Sequence, residues 1–246
     1  MAEWITECEG LADSHQESLE ALRVHLRDLQ LPQIVHRRRA IILFEGADGS
    51  GKKHALRQVA SAFDPCHYAV HSVEYDRRQS AEGHWLARFW RALPGAGDTA
   101  IFFRSWYRRV LDDRILGRTD EAALTRAFDE INEFEAQQRD YGTLIVKLYF
   151  DVSAEVQEQR LRQRSADPWL GVMRSEEGVS VQDPAYARAL DDLRRHTDTR
   201  WSAWRMIDGN DENEAAVAAL AAIAEAWEKA MPSEPPHIVK APGQAA

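Results

Sequence analysis

The residues whose types and spacing could do chemistry run Gly46-Ala-Asp-Gly-Ser-Gly51-Lys52. They match the first seven positions of G-x-x-x-x-G-K-[ST], a loop that wraps around phosphate. In such a loop the glycines let backbone N–H groups turn toward phosphate oxygens, and the lysine adds a full positive charge. A helix starting directly behind the loop adds its positive N-terminal end. The candidate phosphate-binding residues are therefore Gly46, Ala47, Gly49, Ser50, Gly51, Lys52 and Lys53. The eighth position departs from the pattern, because Lys53 stands where Ser or Thr would ligate Mg²⁺. A Gly-rich hairpin or linker is the competing reading, and the flanking segments argue against it.

Those flanks are a strand and a helix. Ala40-Ile-Ile-Leu-Phe44 is apolar at every position, as suits a central parallel strand covered on both faces. Lys53 to Ala60 has a helical pattern. Further strands are predicted at Tyr68–Val73, Thr99–Phe103, Thr143–Val152 and Trp204–Asp208. Ser14 to Leu29 reads as a helix, opened by a capping box of Ser14 with Glu17 and ended by Pro32. Glu82 to Leu93 reads as a helix with Trp85, Phe89 and Trp90 on one face, more consistent with core than with a stacking platform. Glu121–Tyr141, Ala154–Arg164 and Pro184–His196 follow as helices, and Ser165-Ala-Asp-Pro168 breaks the second of these. Asp211 with Glu214 opens the last helix, whose buried stripe is Val217, Leu220, Ile223 and Trp227. Trp169–Asp183 has no clean period and is a candidate lid.

Strands alternating with helices around such a loop give an α/β fold: three layers, a mainly parallel five-stranded sheet, a P-loop kinase architecture and a helical lid. The expected organisation is an N-terminal helical extension over 1–39, a P-loop domain over 40–230 with its lid around 155–200, and a Pro-rich disordered tail over 231–246.

In open α/β sheets ligands bind at the carboxyl ends of the strands. Arg104-Ser-Trp-Tyr-Arg-Arg109 occupies that place after the third strand. A guanidinium fork matches phosphate oxygens bidentately. From Arg104 to Arg118 there are five arginines against Asp112 and Asp113, a locally basic stretch in a chain of 246 residues with formal charge -9. A salt-bridged surface helix is the competing reading. The acidic total argues against general nucleic-acid binding. The two cysteines, Cys8 and Cys66, have neither disulfide-framework nor zinc spacing. The N-terminus lacks a signal-peptide pattern, and no apolar run approaches about 18 residues. A cytoplasmic protein with no membrane and no nucleic-acid partner is expected.

From about Ala40 to about Trp227 the chain resembles the polyphosphate kinase 2 family, most closely its polyphosphate:AMP phosphotransferase branch. The stretches that carry the resemblance are Phe44-Glu-Gly-Ala-Asp-Gly-Ser-Gly-Lys52, Arg88-Phe-Trp-Arg-Ala-Leu-Pro94, Ile101-Phe-Phe-Arg-Ser-Trp-Tyr107, Glu130-Ile-Asn-Glu-Phe-Glu135, Arg164-Ser-Ala-Asp-Pro168 and Ala203-Trp204. The resemblance implies Mg²⁺-dependent phosphoryl transfer between inorganic polyphosphate and a nucleotide, AMP or ADP or the guanine equivalents GMP or GDP. It implies that Asp48 helps hold the metal and that Lys52 binds the transferred phosphate. It further implies that Arg104, Arg109 and Arg114 handle phosphates and that Arg164 is a lid arginine. A homo-oligomer is left open.

Three positions depart from the family pattern. Phe103 stands where the family has a second metal-holding aspartate, and a phenyl ring cannot ligate Mg²⁺. Val172-Met173 replaces a lid Trp-Lys, and Ser165 replaces a second lid arginine. Similar losses occur in the non-catalytic half of two-domain family members. Three readings therefore stand: an active phosphotransferase in which Asp76, Asp112 or Asp113 supplies a replacement carboxylate; a polyphosphate- or nucleotide-binding pseudoenzyme; and an ATP-dependent P-loop kinase of another small substrate.

Overall fold

The computed structural model describes residues 2–73, 83–169 and 179–236, with backbone alone for 2–15. Its centre is β1 (Arg39–Gly46), in which Ala40 to Phe44 are 0% exposed. The all-apolar run needs cover on both faces, and it has it. β1 lies between β3 (Thr99–Phe103) and β4 (Thr143–Asp151). β2 (Tyr68–Ser72) and β5 (Trp204–Asp208) complete a five-stranded sheet in the order β2-β3-β1-β4-β5, parallel at every pairing.

Successive side chains of a strand point to opposite faces, so β1 feeds two cores. Ile41 and Leu43 join a cluster with Phe102, Trp106 and Tyr107, with Leu124, Phe128 and Phe134 of α5 (Glu121–Asp140), and with Leu193 of α7 (Pro184–Thr197). Ile42 and Phe44 join a second cluster with Leu19 and Leu26 of α1 (Ala2–Val35), Ala55 and Val59 of α2 (Lys52–Ala60), and Leu220, Ile223 and Trp227 of α8 (Glu212–Ala230). The result is the expected three-layer α/β architecture. α6 (Ala154–Ala166) follows β4 and lies beside the Gly-rich loop. Among the described residues no helix is long and apolar enough to cross a membrane.

Two helices differ from expectation. α1 starts at Ala2, so Ser14 is interior to the helix and not at its start, and the helix continues through Pro32 to Val35. Interior proline costs a helix a hydrogen bond. Here the following turn is held by tertiary bonds. Buried Gln33 donates to the Asp98 carbonyl (3.1 Å) and to Thr99 Oγ1 (3.0 Å), and its Oε1 accepts from Trp227 Nε1 (3.0 Å). The helix predicted over Glu82–Leu93 reduces to α3 (Ala87–Trp90) among the described residues. Pro94 biases the chain before it away from helix. Phe89 is core as expected, whereas Trp90 is 45% exposed and meets Phe134 edge-on. The candidate lid at Trp169–Asp183 and the tail over 231–246 lie partly outside the described residues, and Val172, Met173 and Asp76 lie wholly outside them.

Candidate functional site

β1 delivers its last residue, Gly46, directly into the loop that precedes α2. Gly46, Gly49 and Gly51 have φ of 135°, 84° and 79°, a region that L side chains rarely adopt. A Cβ at Gly46 would also strike the carbonyl oxygen of Phe150. No side chain caps α2 and its first turn holds no acidic residue. Its dipole and its first amides, at Lys52 and Lys53, therefore face the loop without a side-chain cap. Ser50 is buried, and its hydroxyl has no hydrogen-bond partner.

Three charges meet at this loop. Lys52 is 3% exposed; its Nζ donates to the Ala47 carbonyl at 2.7 Å, lies 3.9 Å from Asp48 Oδ1, and sits 5.3 Å from the centre of the Phe103 ring. Burial, followed by the neighbouring Arg104 charge, pushes its pKa down to about 8. Asp48 forms an ion pair with Arg104. Burial alone would raise the Asp48 carboxyl, but Lys52 and Arg104 together hold it below its ordinary value, with a further contribution from Arg164. Burial likewise opposes the Arg104 charge, yet Asp48, and Asp112 after it, hold the guanidinium above its ordinary value.

Arg104 follows the last residue of β3 with φ 62°, a left-handed conformation that a long side chain adopts rarely. Its N–H donates to the Phe44 carbonyl at 3.0 Å. The next residue, Ser105, donates from both its N–H and its Oγ to Glu45 Oε1, each at 2.6 Å. Glu45 is 3% exposed, and burial lifts its pKa to about 7. The ends of β1 and β3 are thus stitched together beside the loop. From the other side α6 supplies two side chains. Gln157 Nε2 donates to the Asp48 carbonyl (2.9 Å), while Arg160 donates to the carbonyls of Gly49 (2.9 Å), Gly209 (2.6 Å) and Asn210 (2.7 Å).

The sequence-predicted site residues therefore divide. Asp48, Lys52 and Arg104 come together, and Arg164, half-buried on α6, is close enough for its charge to act on Asp48. Arg109 stands off, 5.9 Å from the Trp85 ring centre, with its Nε buried and without a hydrogen bond. Arg114 of α4 (Asp112–Ile115) reaches α7 and pairs with Asp192 at 2.7 Å. Glu45 and Gln157 were not singled out by sequence reasoning, and Arg160 stood out only as one of the arginines of a charged helix. A signal existed for Glu45, a lone carboxylate at the end of an otherwise apolar buried strand.

These side chains do not fit a resident metal ion. Among the described residues no three His, Cys, Asp or Glu side chains gather as a ligand set. Asp48 is already engaged by Arg104, Phe103 presents a ring toward Lys52, and Lys53 adds a cation where a hydroxyl would be needed. Asp112, whose field acts on Lys52, Arg104 and Glu45, lies 3.8 Å from Arg108 Nε, and Asp113 lies 3.5 Å from Arg118.

Comparison with known proteins gives a consistent result. A family model described as polyphosphate kinase 2 matches residues 11–235. A polyphosphate:AMP phosphotransferase of Pseudomonas syringae pv. tomato is 36% identical over 192 residues, covering 77% of this chain and 39% of the relative. A crystal structure assigned to polyphosphate kinase 2 from Pseudomonas aeruginosa PA01 superposes with a TM-score of 0.82 at 33% identity, covering 89% of this chain and 47% of the other. The polyphosphate kinase 2 of Arthrobacter aurescens TC1 gives 0.79 at 25% identity, covering 88% and 80%. The chain spans less than half the length of the polyphosphate:AMP phosphotransferases that it matches.

Proposed function

The chain belongs to the polyphosphate kinase 2 family, and from that premise we propose that it moves a phosphoryl group between inorganic polyphosphate and a nucleotide, AMP or ADP or their guanine equivalents. One observation carries the reading: Lys52, Asp48 and Arg104 lie within one another's reach at the carboxyl ends of β1 and β3. Phosphoryl transfer asks a protein mainly for positioning and charge stabilisation. The glycine loop and Lys52 bind one phosphate, and Arg104 turns from Asp48 to the incoming anion. Arg109 and Arg164 then add charge along the chain. Mg²⁺ would enter with the substrate, where it would supply charge neutralisation of the phosphates, and Asp48 is the P-loop carboxylate that could face it. Mg²⁺ commonly binds through one or two carboxylates plus substrate phosphates.

The test is direct. The protein is incubated with long-chain polyphosphate, Mg²⁺ and each of AMP, ADP, GMP and GDP, and the next higher nucleotide is quantified. Formation with at least one acceptor, abolished by Lys52→Ala, is the expected result. Absence of product with all four, at full folding, would sink the transfer reading.

A second reading has its own support in the ring of Phe103 beside Lys52, which leaves the site one carboxylate short. On this reading the protein binds polyphosphate or nucleotide and turns over slowly. Phe103→Asp then raises turnover while binding stays. Wild-type turnover at ordinary kinase rates of about 1–100 s⁻¹, unimproved by Phe103→Asp, would exclude it.

A further inference from the structure

We infer that Glu45 is a positioning residue for Arg104, acting through Ser105 to hold the arginine in its left-handed conformation with its guanidinium over the P-loop. Resting on the proposed handling of phosphate by Arg104, the inference deepens that reading by naming what aims the arginine. Three observations converge. First, Arg104 has φ 62°, and such an outlier persists only where its surroundings over-determine it. Its N–H on the Phe44 carbonyl fixes one side of the residue. Second, the other side is fixed by Ser105, whose N–H and hydroxyl both end on one oxygen of Glu45 at 2.6 Å. Phe44 and Glu45 are adjacent, so consecutive residues of β1 grip Arg104 and Ser105 as β3 ends. Third, Glu45 and Ser105 are 3% and 0% exposed, so water cannot replace the carboxylate as acceptor.

With the grip in place, the guanidinium projects across to Asp48. Without it, Ser105 would have to find other acceptors, and the residue before it could relax to negative φ. The arginine would then leave the loop. Glu45 itself lies on a buried strand beneath the loop, and its hydrogen bonds go to Ser105, so it shapes the site without touching the substrate.

The acceptor at this place need not be charged, because an amide oxygen can take the same two bonds. Glu45→Gln should therefore keep polyphosphate binding near the wild-type level. Glu45→Ala should weaken it by about tenfold or more, with the loss appearing in KM for polyphosphate more than in kcat. Ser105→Ala, which keeps the N–H bond, should fall between. The double variant Glu45→Ala/Arg104→Ala should bind no worse than Arg104→Ala alone, since the hydrogen bonds of the glutamate reach the ligand only through the arginine. A merely structural glutamate would instead weaken binding equally in both backgrounds, and that result would overturn the inference. If Glu45→Ala does not fold, Glu45→Asp, one methylene shorter, takes its place in the cycle. A crystal structure of the unliganded variant separates this inference from the functional reading. Arg104 still at φ near +60° over Asp48 would overturn the positioning role whether or not polyphosphate binds, and a relaxed Arg104 supports it even if no probe binds wild type.

Discussion

Two buried glutamates hold the same turn from opposite sides, and they are held very differently. Glu135 of α5 takes Trp106 Nε1 (2.9 Å) and Tyr107 Oη (2.7 Å) on one oxygen and Lys147 Nζ (3.1 Å) on the other. Lys147 also donates to Tyr107 Oη and to the Thr197 carbonyl, and both members of the ion pair are 0% exposed. Among the described residues Glu45 takes its bonds from Ser105, while the nearby Lys52 donates to Ala47 and lies near Asp48. One carboxylate has a cation against it, whereas the other has none in contact and is lifted to about 7. The pair teaches how a fold separates scaffold from site. A fully partnered buried charge fixes a turn through the bonds on both of its oxygens. A carboxylate that lacks a cation keeps its proton partly bound near neutrality, beside the groups proposed to meet phosphate.

The largest effect should come from breaking the scaffold side. Lys147→Met leaves Glu135 buried without its cation and should cost about 3–5 kcal/mol in urea unfolding. The double change Lys147→Met/Glu135→Leu removes the charge altogether and should recover much of the loss. A double variant as unstable as the single one would show that the hydrogen bonds to Trp106 and Tyr107, not the charge pair, carry this side.

Next in size is a pH effect confined to the site side. The folded-state pKa of Glu45 lies at about 7 against an ordinary 4.5. Between those values the folded protein keeps a proton that the unfolded chain has released, so stability falls as pH rises through the window. The full shift is worth about 3 kcal/mol. The groups facing Glu45 are Ser105, Asp112 and Lys52. Lys52, depressed to about 8, changes stability only above that pH and in the opposite sense. Asp48, held below its ordinary value, loses its stabilisation only as pH falls through the acid range. Denaturant unfolding from pH 5 to 7 should show the decline in wild type and a flatter profile in Glu45→Gln. Equal slopes would assign the proton elsewhere.

A smaller effect sharpens the comparison among the arginines. Polyphosphate binding should weaken with added salt, and Arg104→Ala should weaken it most, followed by Arg109→Ala. Arg114→Ala should matter least for binding, because that guanidinium is engaged by Asp192, and its part-exposed pair should contribute under about 1 kcal/mol to stability. Titration of labelled polyphosphate at two salt concentrations reads this order. A loss at Arg114 matching that at Arg104 would mean that α7 yields its arginine to the ligand.

Much of this architecture was legible in the residues. The apolar β1, the strands at Thr99–Phe103 and Trp204–Asp208 and the Asp211 cap lie where pattern and turn chemistry put them. Pro32 misled because a proline's local cost says nothing about Gln33, whose partners come from β3, the loop before it and α8. The site was legible as a loop but not as an arrangement. Arg104, Arg108, Arg109 and Arg114 are one residue type in one stretch. Their different destinations follow from a positive φ at Arg104 and the tight turn Trp106–Arg109, neither of which composition reveals. Phe103 was readable as a missing carboxylate. Its seat beside the Lys52 ammonium was not.

Gly209, where β5 ends, bears on what descendants of this sequence could become. A methyl group there would collide with the carbonyl oxygen of Ser50 and come within 2.7 Å of that of Asp151. Backbone presses on backbone, with no side chain between them to trim in compensation. Phe103, half-buried, could be exchanged for a carboxylate by altering one side chain, with no backbone in the way. Gly209 offers no such route. Any replacement must displace the phosphate loop from β4 and β5 together, and a lineage that lost this glycine would lose the seat of the loop before it had explored a single new chemistry.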